Sequence, residues 1–389
     1  MSLINSKMKI IMVAGEASGD LLGARLLREL MLIHPGLSAK GIGGTHMQAL
    51  GFESWYPLEH LSVRGYVEVI KSLPRLLNIR RKLFKRILLE DPDIVIGIDA
   101  PDFNLSLEQK LRSRGIKTVQ YVSPAIWAWR PERTKKINRS VDRVLSIFPM
   151  EEEIFKKEGV PCSYIGHPLA DDIELEPKVS DAKSDVGLSS NVPSVALLPG
   201  SRNAEVHQLL GLMLEVAQQL VKENPNVRFF VPVVNAEHQS KVIAALDGIE
   251  SLKGRVSITI GNAKTVLIAS DVAVVASGTA TLEAALCKCP MVVVYKVPRL
   301  TEILMKRKAI TKFISLPNLL LGENVVTELI QSDANTDNVV SSVRKLLTDK
   351  QLRDGAISRF KGLHVDLRRD AAKRGASIVS GMIAGSIRE

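Results

Sequence analysis

Ile94-Val-Ile-Gly-Ile-Asp99-Ala-Pro-Asp102-Phe-Asn104 runs from an uninterrupted apolar stretch into two carboxylates. A stretch this short and this rich in β-branched residues reads as a strand buried on both faces. The same grammar repeats in both directions. Met8–Ala14 reads as a strand followed by helical spacing over Leu21–Ile33, and Thr118–Val122 and Arg143–Ile147 are further buried strands with charged helical stretches beside them. A second series starts after residue 170, with strands at Ser194–Leu198, Arg228–Val234, Val272–Ala276 and Met291–Tyr295. Such alternation predicts an α/β chain of parallel sheets covered by helices on both faces. In doubly wound sheets ligands sit beyond the carboxyl ends of the strands, so chemistry is to be sought just after each strand.

Gly166-His167-Pro168 and the Asp-, Ser- and Lys-rich stretch from Asp171 to Asn191 separate the two series. The expected domains are 8–170 and 171–350, with a basic helical tail over 351–389. A length of 389 residues suits two or three domains, and 46% apolar with 24% charged residues supplies two sizeable cores. That composition excludes disorder, collagen and coiled coil as the main architecture. No stretch reaches the roughly 18 apolar residues of a membrane span. Met1–Met8 lacks the apolar run of a signal peptide, so a cytosolic location is expected. Cys162, Cys287 and Cys289 cannot make a disulfide framework or complete a zinc site, and read as free thiols in a reducing compartment. The net charge of +10 suits a nucleic acid, an anionic membrane face or phosphorylated substrates without choosing among them.

Asp99 immediately follows its strand and can accept a proton from an attacking hydroxyl. A turn or N-cap role explains it equally well, and explains Asp102 at least as well. Gly15-Glu16-Ala-Ser18-Gly19-Asp20 follows the first strand and offers backbone amides at a helix start, though it is neither G-x-G-x-x-G nor a Walker loop. Pro199-Gly200-Ser201-Arg202 repeats the arrangement, with a guanidinium fork suited to phosphate oxygens. The sharpest segment is Ser277-Gly278-Thr279-Ala-Thr281-Leu-Glu283, where a strand runs into a helix start and Glu283 lies on the face of Thr279. Its carboxylate can receive two ribose hydroxyls. Trp127 and Trp129, two of three tryptophans in the chain, read first as core or the wall of a binding surface. His167 reads as a structural hydrogen-bonding residue.

Together these segments resemble the lipid-A-disaccharide synthase family, inverting glycosyltransferases of the two-domain GT-B type. The resemblance rests on Ala14–Asp20, Gly97–Asn104, Tyr121–Pro124 with Trp127-Ala-Trp129-Arg130, Leu197–Arg202, Ala276–Glu283, Lys288-Cys-Pro-Met291 and Ser315–Leu320. Ala17 and Thr281 depart from the family's frequent Thr and Ala without removing a functional group. The resemblance implies two Rossmann-like domains facing each other across a cleft. It also implies transfer of 2,3-diacylglucosamine from UDP to the 6-hydroxyl of 2,3-diacylglucosamine 1-phosphate (lipid X). Asp99 would be the base. Glu16, Ser18, Gly19, Asp20, Asp102 and Trp127 would meet the acceptor. Gly200, Ser201, Arg202, Ser277, Gly278, Thr279, Glu283 and Asn318 would hold UDP, and neither metal nor cofactor is expected. The resemblance also implies a tail that packs back on the first domain or exchanges between the subunits of a homodimer.

One feature outside those motifs bears on the acyl chains. Between Val63 and Arg86, Val69, Leu73, Leu76 and Leu77 recur at helical spacing among Arg80, Arg81 and other cations, with Pro74 set to kink or divide the helix. A core-facing helix with a basic rim explains the spacing; the acylated substrates favour an inner-membrane surface. Two rivals stand beside this reading. A UDP-N-acetylglucosamine 2-epimerase would share the fold and nucleotide site. A nucleic-acid-binding protein would fit the charge, but the cations are interleaved with acids and no such motif occurs, so no nucleic-acid partner is expected.

Overall fold

The computed structural model describes residues 8–61, 66–124, 126, 133–297 and 312–385, giving the backbone alone for 66–72. Seven strands make the first sheet: β1 Lys9–Ala14, β2 Ser38–Ile42, β3 Glu53–Ser54, β4 Ile94–Ile98, β5 Thr118–Tyr121, β6 Arg143–Ser146 and β7 Cys162–Tyr164. They pair in parallel in the order β3-β2-β1-β4-β5-β6-β7. Six strands make the second: β8 Ser194–Leu198, β9 Arg228–Val233, β10 Val256–Ile260, β11 Val272–Ala276, β12 Met291–Tyr295 and β13 Thr327–Ile330. These pair in parallel as β10-β9-β8-β11-β12-β13.

Burial explains which strands the sequence announces. β4, β8 and β11 are buried at every position, so apart from Ser194 at the start of β8 they carry no polar side chain. At or near the sheet margins β2, β7, β10 and β13 are half exposed and lack that signature. In the first sheet the strand order reverses between β1 and β4, and in the second between β8 and β11. Loops leaving neighbouring strands at such a reversal diverge to opposite faces and open a crevice.

The chain divides into unit 1, Met1–Asp171 with Leu367–Glu389, and unit 2, Asp172–Asp366. The tail expected as one piece therefore splits. Its first helix, Lys350–Leu367, is tied into unit 2 by Lys288 Nζ to His364 Nδ1 at 2.5 Å and by Arg359 to Glu323 at 3.2 Å. Its last helix, Ala371–Ala384, packs on the first helix, Ala17–Ile33, and places Ala376, Val379 and Met382 in a core with Ile10, Leu26 and Ile96. Tyr66–Glu90 is one helix that continues through Pro74. Ile79, Leu83 and Ile87 anchor its later turns in the core with Val13 and Val95.

Candidate functional site

The loop after β4 sits at the reversal of unit 1, and its backbone is unusual. Asp99 (φ 53°), Ala100 (φ 41°) and Val122 (φ 69°), at the ends of the paired strands β4 and β5, all adopt the left-handed region. Only glycine, and to a lesser degree Asn and Asp, enters that region readily. For Ala and for β-branched Val the conformation costs about 1–3 kcal/mol each, so surrounding bonds must enforce it. They do. The Asp99 amide donates to the Tyr121 carbonyl at 2.9 Å. Asn104 Nδ2 donates to the carbonyls of Asp99 (2.9 Å) and Val13 (3.1 Å), and Gln120 Nε2 to those of Asp99 and Val122 (both 3.0 Å). Gly15, at the end of β1, comes so close that a Cβ there would lie 2.2 Å from the Ala100 Cβ. Burial raises the Asp99 carboxyl above the ordinary carboxylate range, the Ala100 amide opposes the shift, and the nearby Glu16 charge adds to it. A half-buried carboxylate of raised pKa at a strand reversal is equipped to take a proton.

Among the acceptor-side candidates, Glu16 and Ser18 are exposed beside this turn, while Gly19 is buried against the Ile98 carbonyl. Asp20, also expected at the acceptor, is buried. Its buried carboxylate accepts from the amides of Gly44 (2.7 Å), His46 (2.9 Å) and Met47 (3.1 Å), so it caps a neighbouring loop. Asp102 points outward, its side chain 82% exposed and paired with Arg133 at 3.2 Å. Trp127 lies outside the described residues.

In unit 2 both loops at the reversal are those the sequence singles out. Gly200 has φ 117°, and a Cβ there would strike Glu205 Cβ at 2.6 Å. Glu205 Oε2 accepts from the amides of Ser201 (3.1 Å) and Arg202 (3.2 Å), while Oε1 pairs with the 81%-exposed Arg202 guanidinium at 2.8 Å. A carboxylate thus already occupies this small anion cradle. Across the reversal, Gly278 and Thr279 are exposed at the start of the Thr279–Leu286 helix, and among the described residues nothing lies within 4 Å of a Cβ placed on Gly278. Ser277 Oγ donates to the Ile314 carbonyl at 2.9 Å, and Thr281 Oγ1 to the Gly278 carbonyl at 2.7 Å. Glu283 is half buried; desolvation raises its pKa against the pull of Lys264.

Asn318, expected at UDP, lies behind these loops. It is fully buried, donates to the Val326 carbonyl and Glu328 Oε1 (both 2.9 Å), and accepts from the amides of Val325 (2.8 Å) and Val326 (2.9 Å). Glu328 also receives Ile314 and Ser315, so Asn318 braces the segment that Ser277 touches.

Gln120, Asn104, Glu205 and Thr281 carry this architecture and were not assigned roles from the sequence. One signal was available: Gln120 is a polar residue inside a buried strand. His167 is held neutral, its pKa lowered to about 4 by burial, with Nδ1 accepting the Leu169 amide at 3.2 Å. Burial pushes the thiols of Cys162 and Cys287 up to about 12, which disqualifies both as nucleophiles at neutral pH. On the Tyr66–Glu90 helix the apolar spacing splits into two stripes. Leu73 and Leu77 are 49% and 45% exposed, with Arg81 exposed, Arg80 half buried, and Leu76 half buried towards the core. The side chain of Val69 lies outside the described set.

Comparison with known proteins narrows this geometry to one family. The model of the lipid-A-disaccharide synthetase family matches residues 10–378. Lipid-A-disaccharide synthases of Chromobacterium violaceum and Pseudomonas aeruginosa are 45% and 42% identical over 372 residues, which is 96% of this chain and 96% and 97% of theirs. Among solved structures, Acinetobacter baumannii MurG superposes with TM-score 0.59 at 15% identity, covering 97% of this chain and 100% of its own. The UDP-GlcNAc 2-epimerase of Neisseria meningitidis bound to UDP-GlcNAc does so with TM-score 0.64 at 12% identity over 97% and 100%. These distant likenesses show the GT-B fold alone. The sequence matches run from the first strand to the last helix, and the chain belongs to the lipid-A-disaccharide synthase family.

Proposed function

We propose that the chain joins UDP-2,3-diacylglucosamine to lipid X, giving the β-1,6-linked lipid A disaccharide 1-phosphate and UDP. Family membership makes it a glycosyltransferase of lipid A biosynthesis. The particular reaction assigns a task to each reversal. Asp99 removes the proton from the acceptor's 6-hydroxyl, whose oxygen attacks the anomeric carbon with inversion. The C–O bond to UDP breaks, and charge on the departing diphosphate is met by the amides at Gly278 and Thr279 and by Arg202, which exchanges Glu205 for the phosphate. Glu283 receives the ribose hydroxyls. Exposed Glu16 and Ser18 stand where an acceptor at Asp99 would pass.

The observation that carries this reading is the position of Asp99: a half-buried carboxylate on an enforced turn at the strand reversal of the unit that lacks the Ser-Gly-Thr loop. Mass spectrometry of the product from the two acylated sugars tests it. A disaccharide 1-phosphate of summed mass is expected; release of free sugar, or conversion of UDP-GlcNAc alone, would count against it.

Among the described residues no helix is long and apolar enough to cross a membrane. Substrates with acyl chains nevertheless lie in a bilayer, and exposed Leu73 and Leu77 beside Arg75, Arg81 and Lys82 suit an anionic surface. Leu73→Ser with Leu77→Ser should release the protein from phosphatidylglycerol vesicles in flotation while its melting temperature holds. Unchanged flotation would remove this face from the membrane contact.

A further inference from the structure

Asp99 stands on backbone that local preference does not support, and buried amides from two other positions hold it there. Gln120 and Asn104 are each fully buried. Gln120 reaches from β5 across to the Asp99 carbonyl and along its own strand to that of Val122, the two residues whose φ is 53° and 69°. Asn104, in the Pro101–Arg112 helix, joins the same Asp99 carbonyl to that of Val13 on β1. Carbonyls at strand ends beside left-handed residues have left the sheet ladder, so inside a protein a side-chain donor must satisfy them.

We propose that Gln120 and Asn104 are positioning residues of the transfer reaction, clamping the turn so that the Asp99 carboxylate meets the acceptor hydroxyl. The proposal rests on Asp99 being the base. Three observations favour positioning over plain fold stability. Both amides use only their NH2 halves: Asn104 Oδ1 and Gln120 Oε1 are buried with no hydrogen-bond partner among the described residues. A half-used buried amide is a poor stabiliser, because the unpaired oxygen forfeits its hydration. Next, the donors converge on a single carbonyl, that of Asp99, from two elements. Last, the space beneath is shaped around them. A Cβ on Gly97 would lie 2.9 Å from Asn104 Cβ and 2.3 Å from Oε1 of the buried Glu108, so the strand leading to Asp99 carries glycine where the brace passes. Without the clamp the Asp99 and Val122 peptides are free to relax towards the extended region, and the carboxylate turns with them. A displacement of about 1 Å at a reacting group costs on the order of 100-fold in rate.

A double-mutant cycle on the full chain tests this, using Gln120→Leu, Asp99→Asn and the pair, assayed with UDP-2,3-diacylglucosamine and lipid X. Gln120→Leu should lower kcat by roughly 10- to 100-fold while the KM for the UDP donor and calorimetric UDP affinity stay unchanged. In the Asp99→Asn background the same change should have almost no further effect, because there is no longer a base to aim. An equal loss in both backgrounds, or no loss in either when Asp99→Asn itself is crippled, overturns the positioning role alone. Near-normal turnover by Asp99→Asn overturns the base assignment and this proposal with it. If Gln120→Leu does not fold, Asn104→Ser enters the same cycle and is judged by the same outcomes.

Discussion

The two strand reversals share a topology and differ in almost everything else. In unit 1, three non-glycine residues near the reversal are left-handed, a carboxylate is half buried, and buried amides brace it. In unit 2, glycines take the unusual torsions, the loops are exposed, and a carboxylate from the same segment fills the amide cradle. The first arrangement fixes one group at one angle at the expense of stability. The second offers replaceable partners to an incoming anion. Transferring a proton needs the former, and holding and releasing a nucleotide needs the latter.

The largest expected effect breaks the comparison at its stronger end. Asp99→Asn should reduce turnover by about 10²–10⁴, with UDP affinity by calorimetry unchanged; turnover near normal would leave unit 1's strain without a catalytic purpose. The same change should stabilise the fold. The Asp99 carboxyl is raised above its ordinary 3.8 by burial, so in the window between the two values the folded state keeps a proton that the unfolded state has lost. Stability therefore falls as pH rises through that window, and the penalty is fully present above it. Asp99→Asn should melt higher than the parent at pH 7, with the difference fading near pH 3. Activity should fail on acidification at a higher pH than an unperturbed aspartate would give.

Glu283→Ala tests the second reversal, with a loss of about 1.5–3 kcal/mol in UDP affinity and no change in the melting curve of unit 1. A matched pair of glycine substitutions then sharpens the contrast. Gly15→Ala drives a methyl against Ala100, and Gly200→Ala drives one against Glu205. Each should cost about 1–3 kcal/mol of stability, but kcat should fall in the first and UDP affinity in the second. The opposite assignment would reverse the roles of the units. The smallest effect concerns Arg202. Its exposed pair with Glu205 contributes at most about 1 kcal/mol, so Arg202→Ala should leave the melting temperature nearly unchanged while weakening UDP.

The fold was legible wherever strands were buried on both faces, because burial forces a continuous apolar run. β2, β7, β10 and β13 are less buried, and polar residues such as Lys40, Ser163, Ser257 and Glu328 interrupt their apolar runs. The site was legible in its loops and illegible in its wiring. A carboxylate or amide next to a strand can face a ligand or its own backbone, and nothing local distinguishes the two. Asp20 and Asn318 read like ligand contacts, and the backbone amides of Gly44, Met47, Val325 and Val326 that donate to them are not visible locally in the sequence. Gln120 shows the converse: its polar group in a buried strand was visible, but its partners belong to another strand's turn. The tail reads as basic throughout, yet its Lys350–Leu367 helix buries Phe360 and Leu363.

The helix Ala371–Ala384 closes the core of the unit that the ribosome makes first. Ile10, Leu26 and Ile96 leave the exit tunnel early, but Val379 and Met382, which seal the same core, follow only after all of unit 2 has been translated. At about 5–20 residues per second that interval lasts roughly 10–40 s. Unit 2 is continuous in sequence and can complete itself within that time, whereas the nascent first unit must wait with an apolar face unsealed. In birth order unit 2 is finished first, and the unit that holds Asp99 matures last.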